Sequence, residues 1–202
     1  MGLLQQDKVE IAQQARYFQL TAAYDFIDPV SKQVLGTARE RPITPAVGVA
    51  RVALGGPKST PLELEIVEPN GSRCLIVRRS SLLKKDFWIY HVFDGSDKPV
   101  GSCRLLSGGQ LGLYDANEQL IGRLNYSWVL TLAFAWKLPV QGSDGQTLAQ
   151  FRLCWGGWKR LWTRAQIYTL ELTRSIEDRS TRLLLLALPL CFDQHVLENV
   201  DS

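Results

Sequence analysis

The feature that most limits what this chain can fold into is an apolar run near its C-terminus. Residues 183–192 read LLLLALPLCF, without one polar side chain. A helix needs about 20 predominantly apolar residues to span a bilayer, so this run is too short to be a transmembrane helix. A helix that is apolar on every side is buried on every side. An open sheet covers one side of such a helix, whereas a closed β-barrel with the helix along its axis covers all of them.

The residues around this run predict where the helix begins and ends. Asp178 is suited to be the N-cap, with Ser180 and Thr181 in the first turn. Pro189 lies inside the run and predicts a kink or a loosened turn, because it lacks the backbone donor and crowds the preceding turn. Asp193 ends the run, and we expect it to have a structural role, bonding to backbone donors at the mouth of the barrel.

The rest of the chain alternates apolar and polar residues in short stretches joined by turns, which is typical of antiparallel hairpins. The predicted hairpins pair residues 18–27 with 33–39, 62–67 with 73–79, 87–93 with 99–106, 110–114 with 119–125 and 134–140 with 147–153, and a last strand covers 166–174. One more strand is expected in 48–54 or around 155–161. The second hairpin turns at Asn70-Gly71, the strongest short hairpin signal. The sequence therefore predicts a mainly β protein, a closed antiparallel barrel of about twelve strands around a buried C-terminal helix.

A repeated arrangement links these hairpins. An acidic residue opens most turns, and the return strand often carries a glycine, as at Gly36, Gly101 and Gly122. Barrels use such glycines to bend strands. We expect residues 1–16 to be an N-terminal lead-in, either a short helix or a loose segment, and residues 17–202 to form a single barrel domain. The longest irregular stretch, 41–60, is interpreted as a surface connection, with a partner-binding loop as the alternative.

Several segments together resemble the tubby C-terminal-like superfamily, and within it the phospholipid scramblase and LURP-one-related branches. They are the hairpin series, residues 158–168, the ending DRSTRLLLLALPLCFD at 178–193, and the turns LYDA at 113–116 with LIG at 120–122 and YDFIDP at 24–29. The resemblance covers residues 17–197 and implies a twelve-stranded antiparallel barrel closed around a hydrophobic C-terminal helix that ends in an acidic residue.

The sequence also departs from that family pattern. Animal scramblases carry a Pro-rich N-terminal region, a cysteine cluster for palmitoylation and an acidic loop assigned to calcium, and none of these is recognisable here. This argues against calcium-dependent scrambling. The tubby branch binds phosphoinositide headgroups through Lys and Arg, but that pocket does not match this chain residue by residue. Since a fold does not name an activity, the resemblance predicts the architecture better than the function.

The best candidate for a binding site lies between the last two predicted strands. It combines aromatic and basic side chains: Trp155, Trp158, Lys159, Arg160, Trp162 and Arg164. Tryptophan is enriched at membrane interfaces, and Lys and Arg are attracted to anionic lipid. The alternative is structural, with tryptophans plugging the barrel end and charges blunting a strand edge. The first reading predicts binding to anionic phospholipid or phosphoinositide headgroups.

Catalytic signals are sparse. The two histidines, His91 in a predicted strand and His195 after the helix, have no recognisable nucleophile beside them in sequence. Neither a Gly-x-Ser-x-Gly motif, a P-loop nor HExxH is present, so we expect no enzyme, no cofactor and no metal site. The formal net charge of +3 is mild for a nucleic-acid binder.

Cysteine usage bears on the compartment. No CxxC element occurs, and free thiols in a reducing compartment are expected for Cys74, Cys103, Cys154 and Cys191. The N-terminus does not resemble a secretory signal. We therefore expect a cytoplasmic protein, peripheral to a membrane if it binds one.

Three functions stay open from the sequence. The first is a non-enzymatic module that binds lipid or a membrane surface, and the second is a scaffold that binds a protein partner. The third is scramblase-like lipid transfer, which the helix disfavours because it cannot both fill a barrel and span a bilayer.

Overall fold

The computed structural model describes residues 2–14, 22–41, 44, 60–80, 89–126, 136–154, 167–173 and 176–194. These residues form a closed antiparallel barrel of twelve strands and one α-helix, as the sequence predicts. The strands are β1 (Lys8–Gln13), β2 (Ala23–Ile27), β3 (Val34–Glu40), β4 (Leu62–Val67), β5 (Arg73–Arg79), β6 (Ile89–Asp94), β7 (Pro99–Leu106), β8 (Gln110–Asp115), β9 (Leu120–Asn125), β10 (Trp136–Gly142), β11 (Thr147–Cys154) and β12 (Ile167–Leu172). Each strand pairs with its neighbours in sequence, and β1 closes the wall between β12 and β2.

The tight hairpins share one turn design. In the β6–β7 turn, the Asp94 carboxylate accepts hydrogen bonds from the backbone N–H groups of Ser96 (2.8 Å) and Lys98 (3.0 Å). The Asp115 carboxylate does the same in the β8–β9 turn. Aspartate favours these positions because its side chain bonds to the backbone two residues on. This explains the recurring acidic turn residue in the sequence.

The alternation of strands gives the barrel two different ends. The hairpin end carries the five tight turns, at residues 28–33, 68–72, 94–98, 115–119 and 142–146. The opposite end, called here the loop end, is where the chain leaves β1, β3, β5, β7, β9 and β11 and enters the next strand. The connections there include most of the long ones in the sequence.

Helix α1 (Arg179–Phe192) runs from the hairpin end to the loop end. The side chain of Asp178 caps its N-terminus by accepting hydrogen bonds from the backbone of Ser180 and Thr181, as predicted. The helix continues through Pro189 and ends at Phe192, followed by a π-helical turn at 193–194. All ten residues from 183 to 192 are buried, which only an enclosing wall can achieve.

The N-terminal segment differs from its prediction as a lead-in. A single 3-10 turn (Leu3–Gln5) is followed directly by β1, which is part of the barrel wall. The inward positions of β1 are Val9, Ile11 and Gln13. Because the third of these is polar, the alternation that predicts the other strands is weak here. The other expected extra strands, in 48–54 and around 155–161, lie outside the described residues.

Candidate functional site

The predicted lipid-binding residues lie outside the described part of the chain. They are Trp155, Trp158, Lys159, Arg160, Trp162 and Arg164. The strands on either side are described, and Cys154 of β11 pairs with Ile167 of β12. Both residues are at the loop end. The topology therefore connects the predicted cluster to this end of the barrel.

Four other segments connect to strands at the same end and, apart from Thr44, lie outside the described residues: 15–21, 42–59, 81–88 and 127–135. Together with 155–166 they contain eight basic residues and one acid, Asp86. The basic residues are Arg16, Arg51, Lys58, Lys84, Lys85, Lys159, Arg160 and Arg164. Five of the six tryptophans of the chain also fall in these segments, and the sixth, Trp136, begins β10 at this end.

The turns of the hairpin end are acidic. Its five turns contain two lysines, Lys32 and Lys98, and seven carboxylates: Asp28, Glu68, Asp94, Asp97, Asp115, Glu118 and Asp144. The net charge of +3 is therefore divided unevenly between the five turns and the segments that join strands at the loop end. Sequence order alone does not reveal it, because the acidic and basic segments alternate along the chain and are separated only by the strand topology.

The outer wall carries a closed ring of ion pairs, called here the ion ring. Three arginines and three carboxylates alternate in the order Arg41, Glu65, Arg73, Asp97, Arg78 and Glu63, with neighbouring groups 2.6 to 3.1 Å apart. The Arg78 guanidinium also lies 4.7 Å from the ring centroid of Phe93. Because each charge in this ring meets two opposite charges, the ring ties β4 and β5 to the chain after β3 and to the β6–β7 turn.

The ion ring predicts a specific acid response. The hydrogen bond from Arg78 holds the pKa of Asp97 below its usual value, and the hydrogen bond from Arg41 does the same for Glu65. Carboxylates with a lowered pKa stabilise the fold at neutral pH, and this stabilisation is lost as the pH falls through the lowered pKa. We expect Asp97→Asn to lower the melting temperature at pH 7, and the difference from wild type to shrink below about pH 4. Thermal unfolding followed by circular dichroism across this range measures it.

The matched control for that experiment is Glu118→Gln. Glu118 occupies the same turn position in the next hairpin as Asp97, with φ of 64° against 65°. Its carboxylate pairs with Arg104 alone among the salt bridges of the described residues, and its side chain is 67 % exposed. An isolated exposed pair contributes little, so this variant is expected to leave the melting temperature nearly unchanged. Equal losses in the two variants would show that the ring has no collective effect.

A second polar cluster is buried inside the barrel at the loop end. Asp193 is 1 % exposed, and its carboxylate accepts hydrogen bonds from the Gln13 amide at 3.0 Å, the Tyr24 hydroxyl at 2.5 Å and the Tyr168 hydroxyl. The Gln194 amide donates to the Tyr24 hydroxyl at 2.8 Å. The burial of Asp193 agrees with its predicted structural role, but the donors seen at its carboxylate are side chains, where the sequence suggested backbone groups.

Three cysteines of the described chain are free and buried: Cys74, Cys103 and Cys191. Burial raises the pKa of Cys74 to about 11. Burial and the neighbouring Cys103 thiol raise the pKa of Cys191 well above its usual value. Because the thiolate is the reactive form, both thiols are inert at neutral pH and fit core positions.

The remaining sequence candidates are the two histidines and the 41–60 loop. His91 lies on β6, half-buried, opposite Arg78 on β5 and Ser102 on β7. His195 falls outside the described ranges, as does most of the 41–60 loop. No three His, Cys, Asp or Glu side chains in the described part come together as a metal site would require.

Comparisons with known proteins return no match: no family model, no curated protein and no solved structure corresponds to this chain. In the described part of the chain, no helix has both the length and the apolar character needed to cross a membrane. What the fold defines is therefore a class, a twelve-stranded antiparallel barrel filled by its own C-terminal helix.

Proposed function

We propose that this protein is a non-enzymatic module that binds anionic phospholipid headgroups with its loop end. The observation that carries the proposal is the uneven division of charged residues between the two sets of connections, the hairpin turns and the segments that join strands at the loop end. Eight basic residues and five tryptophans lie in segments that connect at one end, while the turns at the other end are rich in carboxylates. We also propose that the chain is related to the tubby-like and scramblase-like proteins.

The physical argument concerns both ends. Lys and Arg near an anionic membrane surface contribute about 1 kcal/mol each, and tryptophan prefers the boundary between headgroups and acyl chains. The carboxylates of the hairpin end are repelled by the same surface. The molecule is therefore expected to approach a membrane with its loop end first and its barrel axis close to the membrane normal.

The interior favours contact with headgroups over uptake of an acyl chain. Core positions of the described barrel are filled by α1, and side chains such as Leu184, Leu188 and Phe192 are 0 to 2 % exposed. Lipid-carrying barrels keep a cavity for their ligand. A filled barrel also supports surface binding over scramblase-like transfer, which needs a path for a headgroup through the bilayer.

The charges on the outer wall of the barrel also favour the loop end as the membrane-contacting surface. Its charged groups in the described strands largely pair with each other, as in the ion ring and in the pairs Lys8–Glu171 and Lys32–Glu10. Paired charges attract a distant anionic surface weakly. The loop end is therefore a better candidate for membrane contact than the wall, and we place the protein at the cytoplasmic face of a membrane.

The test is flotation with liposomes of graded anionic lipid content at low and moderate salt. We expect salt-sensitive binding that increases with anionic lipid. Replacing Lys159, Arg160 and Arg164 by alanine removes three attractions of about 1 kcal/mol and is expected to weaken binding by about a hundredfold. Phosphoinositide-containing vesicles at equal total charge then distinguish a specific headgroup from surface charge alone.

The matched control removes the same charge elsewhere. Lys8, Lys32 and Lys98 lie at or near the hairpin end and are exposed, so their triple-alanine variant changes the net charge equally. This control variant is expected to bind nearly as well as wild type. Equal loss of binding in both triple variants would show that only net charge matters. Absence of binding in wild type would favour a scaffold that binds a protein partner.

A further inference from the structure

The first strand has a special place in the barrel, because it closes the wall. β1 pairs with β2 on one side and with β12 on the other, so the two ends of the chain meet at this seam. Removing β1 leaves β2 and β12 as free edges. β1 and β12 each have a sequence neighbour on one side only, whereas every other strand described here lies between its two neighbours in sequence.

The start of β1 is held by one residue of the helix. The Arg182 guanidinium donates to the carbonyl oxygens of Leu4 (2.7 Å) and Ile176 (2.5 Å), and it pairs with the Asp7 carboxylate at 2.8 Å. The Arg182 side chain is 15 % exposed, whereas that of Asp7 is 65 % exposed. Water can therefore replace the Asp7 part of this contact at small cost.

The end of β1 is held by the other charged end of the same helix. The Asp193 carboxylate accepts one hydrogen bond from each of the three strands at the seam: from Gln13 on β1, from Tyr24 on β2 and from Tyr168 on β12. Arg182 and Asp193 thus contact the seam at opposite ends of α1. The sequence separations are 175 to 180 residues for the contacts to Asp7 and Gln13.

The helix lies nearer to the wall opposite the seam. α1 contacts β7 most extensively, then β6 and β8, and β7 lies across the closed barrel from β1. Next to β1 there is a small cavity of about 10 Å³ whose lining includes Leu3, Val9, Arg182 and Leu186. β1 contributes two apolar side chains to the core, Val9 and Ile11, and its third buried residue is Gln13. The last inward position of β1 is therefore held by a hydrogen bond to Asp193, and its first inward residue, Val9, lines the cavity.

We propose that β1, together with the 3-10 turn before it, is a releasable strap that opens the barrel while the other strands stay folded, and that Arg182 and Asp193 are its two clasps. Elements at the ends of a chain open locally most readily, and β1 is the first strand. The open form exposes Leu3 and Leu186 and leaves β2 and β12 as unpaired strand edges. The inference does not depend on membrane binding.

Hydrogen exchange of the full-length protein, resolved by peptide mass spectrometry, tests it. In wild type we expect the amides of β1 to exchange at least about tenfold faster than those of β7. Arg182→Met keeps the stem and removes the donors, and Asp193→Asn keeps the shape and removes the charge. Each is expected to speed exchange in β1 by about tenfold more and to leave β7 unchanged.

An engineered disulfide that prevents β1 from opening provides the opposite control. Ala12 of β1 and Asp25 of β2 are direct cross-strand partners, so Ala12→Cys with Asp25→Cys is suited to a disulfide across the seam. Oxidation of this variant is expected to slow exchange in β1 to the rate of β7, and reduction to restore it, with Asp25→Cys alone as the reference. If β1 and β7 exchange at the same rate in wild type and respond together in the variants, the barrel opens as one unit and the proposal fails.

Discussion

Replacing Phe192 by alanine is expected to lower the free energy of unfolding by about 4 kcal/mol. Phe192 ends α1 at 2 % exposure and lies 5.0 Å from the ring of Phe151, 5.5 Å from Tyr126 and 6.4 Å from Tyr168. The substitution leaves a cavity beneath these rings and removes several edge-to-face contacts at once. Urea unfolding followed by fluorescence and circular dichroism measures the loss.

The control for this prediction is Val30→Ala in the β2–β3 turn. Val30 is 91 % exposed, so its truncation is expected to change the free energy of unfolding by less than about 0.5 kcal/mol. A loss below about 1 kcal/mol for Phe192→Ala would contradict the enclosed position of the helix, because the tail of a surface helix tolerates such a change.

The architecture was largely predictable because two local signals agree. β4, β5 and β7 begin and end at the residues that alternation and turn chemistry predict. The apolar helix then requires a wall on every side, which turns a series of hairpins into a closed barrel. Neither signal depends on residues far apart in the chain, and for this reason sequence reasoning recovers both.

The seam was not predictable in the same way. β1 has only Val9 and Ile11 as inward apolar residues, and Gln13 faces inward because Asp193 lies there to accept its hydrogen bond. That partner is 180 residues away. The inward glutamine of β1 is therefore explained only by the position of the helix inside the barrel. In the sequence, this polar residue weakens the alternation that would predict a strand.

The ion ring has the same character. Arg41, Arg73 and Arg78 are unremarkable in sequence, and only the register of β3 to β6 brings them to alternate with carboxylates. The uneven division of charge between the hairpin turns and the loop-end connections also becomes visible only from the strand order. The candidate cluster from Trp155 to Arg164 was found from composition, and the topology adds that four further basic or aromatic segments connect at the same end.

Replacing Gly101 by alanine is the second substitution expected to have a large effect. Gly101 lies on β7 opposite Val92, next to the bulge of the β6–β7 hairpin. A Cβ atom there would be 2.0 Å from the backbone oxygen of Tyr114 on β8. A backbone atom held in a sheet cannot give way as a flexible side chain does, so β7 and β8 must separate locally.

We expect Gly101→Ala to lower the free energy of unfolding by about 3 kcal/mol, at the upper end of the range for overpacking. Gly71→Ala is the matched control. Gly71 has φ of 84° in the β4–β5 turn, and a Cβ there meets nothing within 4 Å, so only backbone strain of about 1 kcal/mol is expected. Urea unfolding of both variants separates the two causes. Equal losses would mean that conformation alone requires glycine at Gly101, whereas a clearly larger loss at Gly101 establishes the close approach of β7 and β8 that the closed barrel needs.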